Sequence, residues 1–290
     1  MRASTDGAPL IPPMRRLLYV AAFLVFLAGL QLFVLPLHTA DWFAWTVDPP
    51  MTAVFLGAAY WSSAVLEVAG ARSADWGRAR LSVWTVFVFT ALTLAVTLVH
   101  LDRFHLSAEH PISARAVTWG WLAIYIAVPI AMLTIGSIQS RARHTPTGSI
   151  AAAAGALPAG LRLLLVVIAA VLVLVGAGLL AAPTQAATLW PWMLTELTAR
   201  AVGAWSVGLG WAAAHARLSG DARTVRPLGL TAIAFVVLQT VALLRHGDDV
   251  TWAGAPAVGF LAVLLAIGVA GGWMVSLNRV PKARSALASS

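Results

Sequence analysis

The chain has 290 residues, of which 60% are hydrophobic and 10% charged, and its mean hydropathy is +0.85. Soluble domains are about a quarter charged, so this composition excludes an ordinary soluble domain and predicts an integral membrane protein. The net charge of +8 does not indicate a nucleic-acid partner, because basic residues of membrane proteins collect in cytoplasmic loops. The absence of cysteine excludes disulfides, thiolate nucleophiles and cysteine-ligated metals.

Eight apolar runs in the chain have the length of about twenty residues that a helix needs to cross a bilayer. We therefore predict an all-α fold with eight transmembrane helices. The predicted spans, in chain order, are residues 17–36, 51–70, 81–100, 115–138, 161–182, 199–216, 227–245 and 253–276.

The first span and the arginines predict the orientation. The first span follows Arg15 and Arg16, as a signal peptide would, but it is too long and lacks a cleavage site of small residues. Arginines collect at alternate connections and near both ends of the chain, and such segments lie in the cytoplasm. This pattern predicts a multi-pass protein of the bacterial inner membrane with cytoplasmic termini.

The sequence matches itself at an offset of 146 residues. MTAVFLGA at 51–58 shares Thr, Ala, Gly and Ala with LTARAVGA at 197–204, and VHLD at 99–102 matches RHGD at 245–248. We therefore predict a tandem 4+4 repeat of two four-helix units with the same topology, related by an axis along the membrane normal. The predicted parts are residues 1–140 and 161–278 for the units, 141–160 for a cytoplasmic linker and 279–290 for a basic cytoplasmic tail.

The second repeated motif carries a histidine and an aspartate at the outer end of a helix. His100 precedes Asp102, and His246 precedes Asp248. Imidazole and carboxylate are ligands for zinc, copper or iron, and two imidazoles can hold a haem. The motif therefore predicts a metal or haem site if the two histidines face each other. The motif also fits an ordinary helix end, which the sequence favours, because the positive-inside rule leaves acidic residues on the outer side.

Glu67 is the one carboxylate inside a predicted span, and an ionisable residue in a bilayer is a candidate for a substrate or proton site. Tyr60 and Ser63 lie on the same helical face and supply polar groups beside it. The alternatives are that Glu67 reaches the inner interface, or that it pairs with Arg72, Arg78 or Arg80. Ala213 stands at the equivalent place in the second unit, so a site at Glu67 belongs to one unit only.

Four tryptophans and a glutamine are further candidates for substrate binding. Trp42, Trp45, Trp190 and Trp192 precede the second and sixth spans, where they either anchor the chain at the outer interface or line a groove for a lipidic molecule. Gln239 places an amide in the middle of the seventh span, where it contacts either a ligand or a neighbouring helix.

No phosphate loop, dinucleotide fingerprint or metalloprotease motif occurs in the sequence. The residues favour a membrane protein that binds or transports a small or lipidic molecule at the repeat interface. Two alternatives stay open. One is a membrane-embedded metal or haem protein, with oxidoreductase activity as one option, and the other is a non-catalytic scaffold subunit. The expected partners are the lipid bilayer and this ligand, and the sequence does not define an oligomeric state.

Overall fold

The structure is a computed structural model that describes residues 8–141, 156–220 and 222–277. Over these ranges the chain forms helices and no strands, which confirms the predicted all-α fold. Most of the predicted linker at 141–160 and all of the predicted tail at 279–290 lie outside the described residues.

Each of the eight predicted spans corresponds to one long helix, and two short helices precede the second and the sixth of them. The π-helical turn Leu30–Val34 continues the first helix. The helices are α1 Pro12–Gly29, α2 Thr39–Trp42, α3 Pro50–Ala71, α4 Trp76–Val99, α5 Ile112–Arg141, α6 Ala159–Ala181, α7 Pro183–Ala186, α8 Glu196–Ser219, α9 Ala222–His246 and α10 Ala255–Ser276.

Seven helices of the described ranges are long and apolar enough to cross a membrane, so the fold fits a multi-pass membrane protein. They are α1 with its extension, α3, α4, α5, α6, α9 and α10. The remaining long helix, α8, has 24 residues but falls outside this set. Its hydropathy is lowered by Arg200 and His215 and by many glycine, serine and tryptophan residues.

Helices α3 and α8 lie at the centre of the bundle. α3 packs against α1, α4 and α9, while α8 packs against α6 and α4. α3 has the largest buried share of the seven membrane-length helices, at 67% of its most apolar window. A helix that faces protein on most sides does not need a continuous lipophilic surface. This position explains why α3 and α8 are less apolar than the helices around them.

The central helices approach their neighbours through glycines. A Cβ atom added to Gly203 on α8 would lie 2.8 Å from the carbonyl oxygen of Gly176 on α6. On α3, a Cβ atom added to Gly57 would lie 2.6 Å from the backbone nitrogen of Phe33. Backbone contacts of this kind hold helices together in lipid, where the hydrophobic effect gives little drive for association. Gly57 and Gly203 are the glycines of the first repeated motif.

Both ends of α8 are fixed by local hydrogen bonds. The Thr195 hydroxyl accepts from the backbone N–H of Thr198, and the Thr198 hydroxyl accepts from the backbone N–H of Thr195. This capping box satisfies two backbone donors that a helix start leaves open. Gly220 ends the helix in the left-handed conformation with a φ of 64°. The sequence therefore defines α8 as a helix at both ends despite its modest hydropathy.

We expect Gly203→Ala to destabilise the protein by about 1–3 kcal/mol, because the new methyl group overpacks the contact with α6. The matched control is Gly120→Ala on α5, where an added Cβ atom meets nothing within 4 Å. That substitution should leave stability unchanged or raise it, since glycine is unfavourable inside a helix. Thermal unfolding of the two variants in detergent checks this prediction, and equal melting temperatures would contradict it.

Candidate functional site

A small cavity of about 60 Å³ lies between α1, α3, α4 and α5, and Glu67 and Tyr60 both line it. We call it the Glu67 cavity. The Glu67 side chain is 2% exposed, so the alternative in which it reaches the inner interface is wrong. Ser63 donates its hydroxyl to the backbone carbonyl of Tyr60 at 2.8 Å, and its oxygen lies 3.5 Å from Glu67 Oε1. Glu67 Oε2 has no hydrogen-bond partner in the described part of the chain.

Aromatic rings form much of the wall of the Glu67 cavity. The hydroxyls of Tyr60 and Tyr125 lie 2.7 Å apart, and both tyrosines are buried. Phe89 and Trp121 line the same space. Tyr60 is a candidate from the sequence and Tyr125 is not, because Tyr125 lies 65 residues further along the chain on a helix whose inner face the sequence does not reveal. The scarcity of tyrosine could have drawn attention to Tyr125, since the chain has three tyrosines in all.

A larger cavity of about 290 Å³ lies between α6, α8, α9 and α10, and we call it the apolar cavity. Phe55 and Ala59 of α3 complete its wall. No charged residue of the described ranges lines it, and the hydroxyl of Ser206 is already donated to the carbonyl oxygen of Val202 at 2.9 Å. Its other lining residues include Val171, Leu172, Trp190, Leu209, Phe235, Gly259, Phe260, Val263 and Ile267.

The four candidate tryptophans do not share one groove. Trp190 lines the apolar cavity, and Trp192 packs behind it and donates its indole N–H to the Thr52 hydroxyl at 3.0 Å. Trp45 belongs to a second aromatic cluster around Trp121. Trp45 and Trp192 are 3% and 2% exposed, so both are core residues rather than interface anchors. Trp42 is half exposed and remains available for anchoring.

Gln239 is fully buried and joins α9 to α3. Its amide nitrogen donates to the backbone carbonyl of Phe55 at 3.0 Å. Hydrogen bonds between helices stabilise membrane bundles. Phe55 lines the apolar cavity and Gln239 does not. Gln239 therefore stabilises the position of a lining residue through its hydrogen bond and does not itself face the cavity. The substrate-binding role expected for Gln239 stays a prediction.

His100 ends α4 and accepts a hydrogen bond from another helix. Arg200 Nη1 donates to His100 Nε2 at 2.7 Å, while Arg200 Nε donates to the backbone carbonyl of Leu180 at 3.1 Å. Asp102 is exposed and pairs with the neighbouring Arg103 at 3.2 Å. His100 Nε2 thus already accepts a hydrogen bond from the Arg200 guanidinium, which disfavours a metal ion on that nitrogen.

His246 is the last residue of α9. Of the two aspartates that follow it, Asp249 and not Asp248 makes a hydrogen bond to another helix. Asp249 Oδ2 accepts from the backbone N–H of Met51 at the start of α3, at 2.9 Å. Asp248 is exposed. Within the described residues, no group of three or more His, Asp or Glu side chains lies together in a way that could hold a metal ion. The metal or haem site at His100, Asp102, His246 and Asp248 stays a prediction.

Burial lowers the pKa of the His100 imidazole, and the Arg200 guanidinium beside it acts in the same direction. The carboxylates of Asp102 and Glu196 act in the opposite direction, and Arg103 adds a small lowering effect. The neutral imidazole is therefore the form that the folded protein favours, in agreement with its role as hydrogen-bond acceptor for Arg200.

Comparison of the chain with protein-family models, with curated proteins and with solved structures gave no match in any of the three.

We expect the protein to lose thermal stability as the pH falls below about 6.5, because the unfolded chain then takes up a proton that folded His100 resists. In His100→Gln this part of the loss should disappear, since the amide oxygen accepts from Arg200 at every pH. The control is His38→Gln, which changes an exposed histidine. Melting temperatures measured between about pH 7.5 and pH 5.5 test the prediction, and an identical pH dependence in wild type and His100→Gln would refute it.

Proposed function

We propose that this protein is an eight-span inner-membrane protein that binds or transports a lipidic molecule in the apolar cavity. The observation that carries the proposal is the cavity itself, since its volume of about 290 Å³ is close to the lower limit of ligand-binding pockets. The bilayer is the source of such a molecule as well as the solvent of the protein.

The shape and chemistry of the apolar cavity favour an acyl chain. Trp190 and Pro256 lie at the predicted outer end of the cavity, whereas Leu172, Leu209 and Ile267 lie near the middle of their helices. A ligand that touches all of them extends along the helices from the interface towards the bilayer centre. Because no charged side chain meets it, the bound part is an apolar chain rather than a polar head group.

The proposed tandem 4+4 repeat is supported by the spacing and packing of the helices. α3 and α8 start 146 residues apart, at Pro50 and Glu196, and α4 and α9 start 146 residues apart, at Trp76 and Ala222. In packing, α3 contacts α1 and α9, and α8 makes the corresponding contacts with α6 and α4. In this arrangement α3 of the first unit reaches the apolar cavity of the second, which supports a site at the repeat interface.

The proposal makes α8 the eighth span, with both termini in the cytoplasm. A helix of 24 residues is about 36 Å long, which suffices to cross the hydrocarbon core. The tight packing of α8 against α6 and α4 supports this position, because its polar and small residues then face protein rather than lipid.

Single cysteines placed in this cysteine-free chain test the eight-span topology. We expect a membrane-impermeant maleimide to label Thr188→Cys and Thr251→Cys from outside intact cells, because both exposed positions lie at the predicted outer end. Leu218→Cys, which is 73% exposed near the end of α8, should react only after the membrane is opened. Labelling of positions 188 and 218 from the same side would show that α8 does not cross.

Ligand binding is tested with a palmitic acid that carries a photoreactive diazirine. We expect it to cross-link to α6 and α10 of the purified protein, with excess palmitate competing. Gly259→Leu should abolish the competed cross-link, because Gly259 lines the apolar cavity and the leucine fills it. The control is Gly272→Leu on the same helix, where an added Cβ atom also meets nothing within 4 Å but the residue lies outside the cavity.

Two results would count against a lipid site in the apolar cavity. One is cross-linking spread over all lipid-facing helices that palmitate does not reduce. The other is equal, competed cross-linking in Gly259→Leu and wild type, which would locate the ligand elsewhere.

A further inference from the structure

We propose that the Glu67 cavity binds a small organic cation, namely a primary ammonium group, by the Glu67 carboxylate. This site lies between α1, α3, α4 and α5, whereas the apolar cavity lies mainly between the four long helices of the second half. The inference is therefore independent of the function proposed for the apolar cavity.

The charge balance of the cavity points to a cation. Glu67 is 2% exposed, and its Oε2 has no hydrogen-bond partner among the described residues. Ser63 makes one weak contact of 3.5 Å with Oε1. None of the described residues that line the cavity is basic. A buried carboxylate without a partner is costly, and a positively charged ligand beside it would offset part of that cost.

The walls of the cavity favour an ammonium group over a metal cation. Four aromatic side chains line it: Tyr60, Phe89, Trp121 and Tyr125. Aromatic rings attract organic cations, whereas hard metal cations need several oxygen ligands. Besides the Glu67 carboxylate, the lining contributes three side-chain oxygens, the hydroxyls of Tyr60, Thr90 and Tyr125, which is fewer than such a cation requires.

The size of the cavity limits the ligand. A cavity of about 60 Å³ is well below the volume of about 150 Å³ that holds benzene, so it takes a ligand of a few heavy atoms. Methylammonium has this size and carries one positive charge, which matches the single carboxylate. A longer amine would have to extend beyond the cavity.

A comparison inside the molecule shows that packing alone does not require an acid here. Ala213 lies 146 residues after Glu67, on α8, and lines a cavity of about 40 Å³ between α6, α8, α9 and α10. The lining of that cavity is apolar except for Thr231, whose hydroxyl is donated to the backbone carbonyl of Pro227. Alanine thus suffices at the corresponding place, and the carboxylate of Glu67 distinguishes the first cavity from the second.

Equilibrium dialysis of the full-length protein against radiolabelled methylammonium, in an uncharged detergent, tests the proposal. We expect saturable binding of one methylammonium per chain that an equal concentration of sodium does not displace. Glu67→Gln should weaken binding about tenfold or more, because it removes the one opposing charge. The matched control is Glu109→Gln, which neutralises an exposed carboxylate and should bind as wild type does.

The absence of saturable binding in the wild type would overturn the proposal, as would unchanged binding in Glu67→Gln or displacement by equal sodium. If Glu67→Gln does not fold, Ala28→Leu serves as the second variant, because Ala28 lines the cavity from α1 and leucine narrows it without removing the carboxylate. Weaker methylammonium binding is expected in that variant, and undiminished binding would overturn the proposal equally.

Discussion

The fold depends on close backbone contacts between helices that have no hydrophobic drive to associate in lipid. Gly203 against Gly176 and Gly57 against Phe33 provide such contacts, and each would be lost if a side chain were added. The requirement for small residues lowers the hydropathy of the central helices. The same constraint therefore explains both the tight packing of α8 and its absence from the set of helices that length and hydropathy identify as membrane-crossing.

Small residues on the central helices α3 and α8 leave cavities beside them, at the places where the outer helices make few contacts with each other. α1 meets α5, and α6 meets α10, along short contacts only, and a cavity lies beside each of these pairs. The two spaces differ in one chemical respect. A carboxylate and two tyrosine hydroxyls line the first, whereas aliphatic and aromatic carbon dominates the second. The protein thus has one cavity with polar groups and one apolar cavity, each lying between four long helices.

The sequence predicts the eight helices well, because runs of about twenty apolar residues have few alternatives. It also predicts that Glu67 and Tyr60 share one helical face, and the structure brings both to one cavity. It does not predict the contact of Tyr60 with Tyr125 or of His100 with Arg200. Both depend on how helices rotate about their axes, and a helix that is apolar all round gives no periodic signal of its buried face.

Hydrogen bonds between the two halves of the chain restrict how the molecule can move. The Asp249 carboxylate accepts a hydrogen bond from Met51 in the first turn of α3. Gln239 donates a hydrogen bond to the carbonyl of Phe55, four residues further along the same helix. A rocking motion of one half against the other has to break both bonds together, along with the bond between Arg200 and His100. Displacement of α5 or α10 breaks none of these three. These three bonds therefore connect the two halves through their central helices, whereas the hydrogen bond between Tyr125 and Tyr60 ties α5 to its own half.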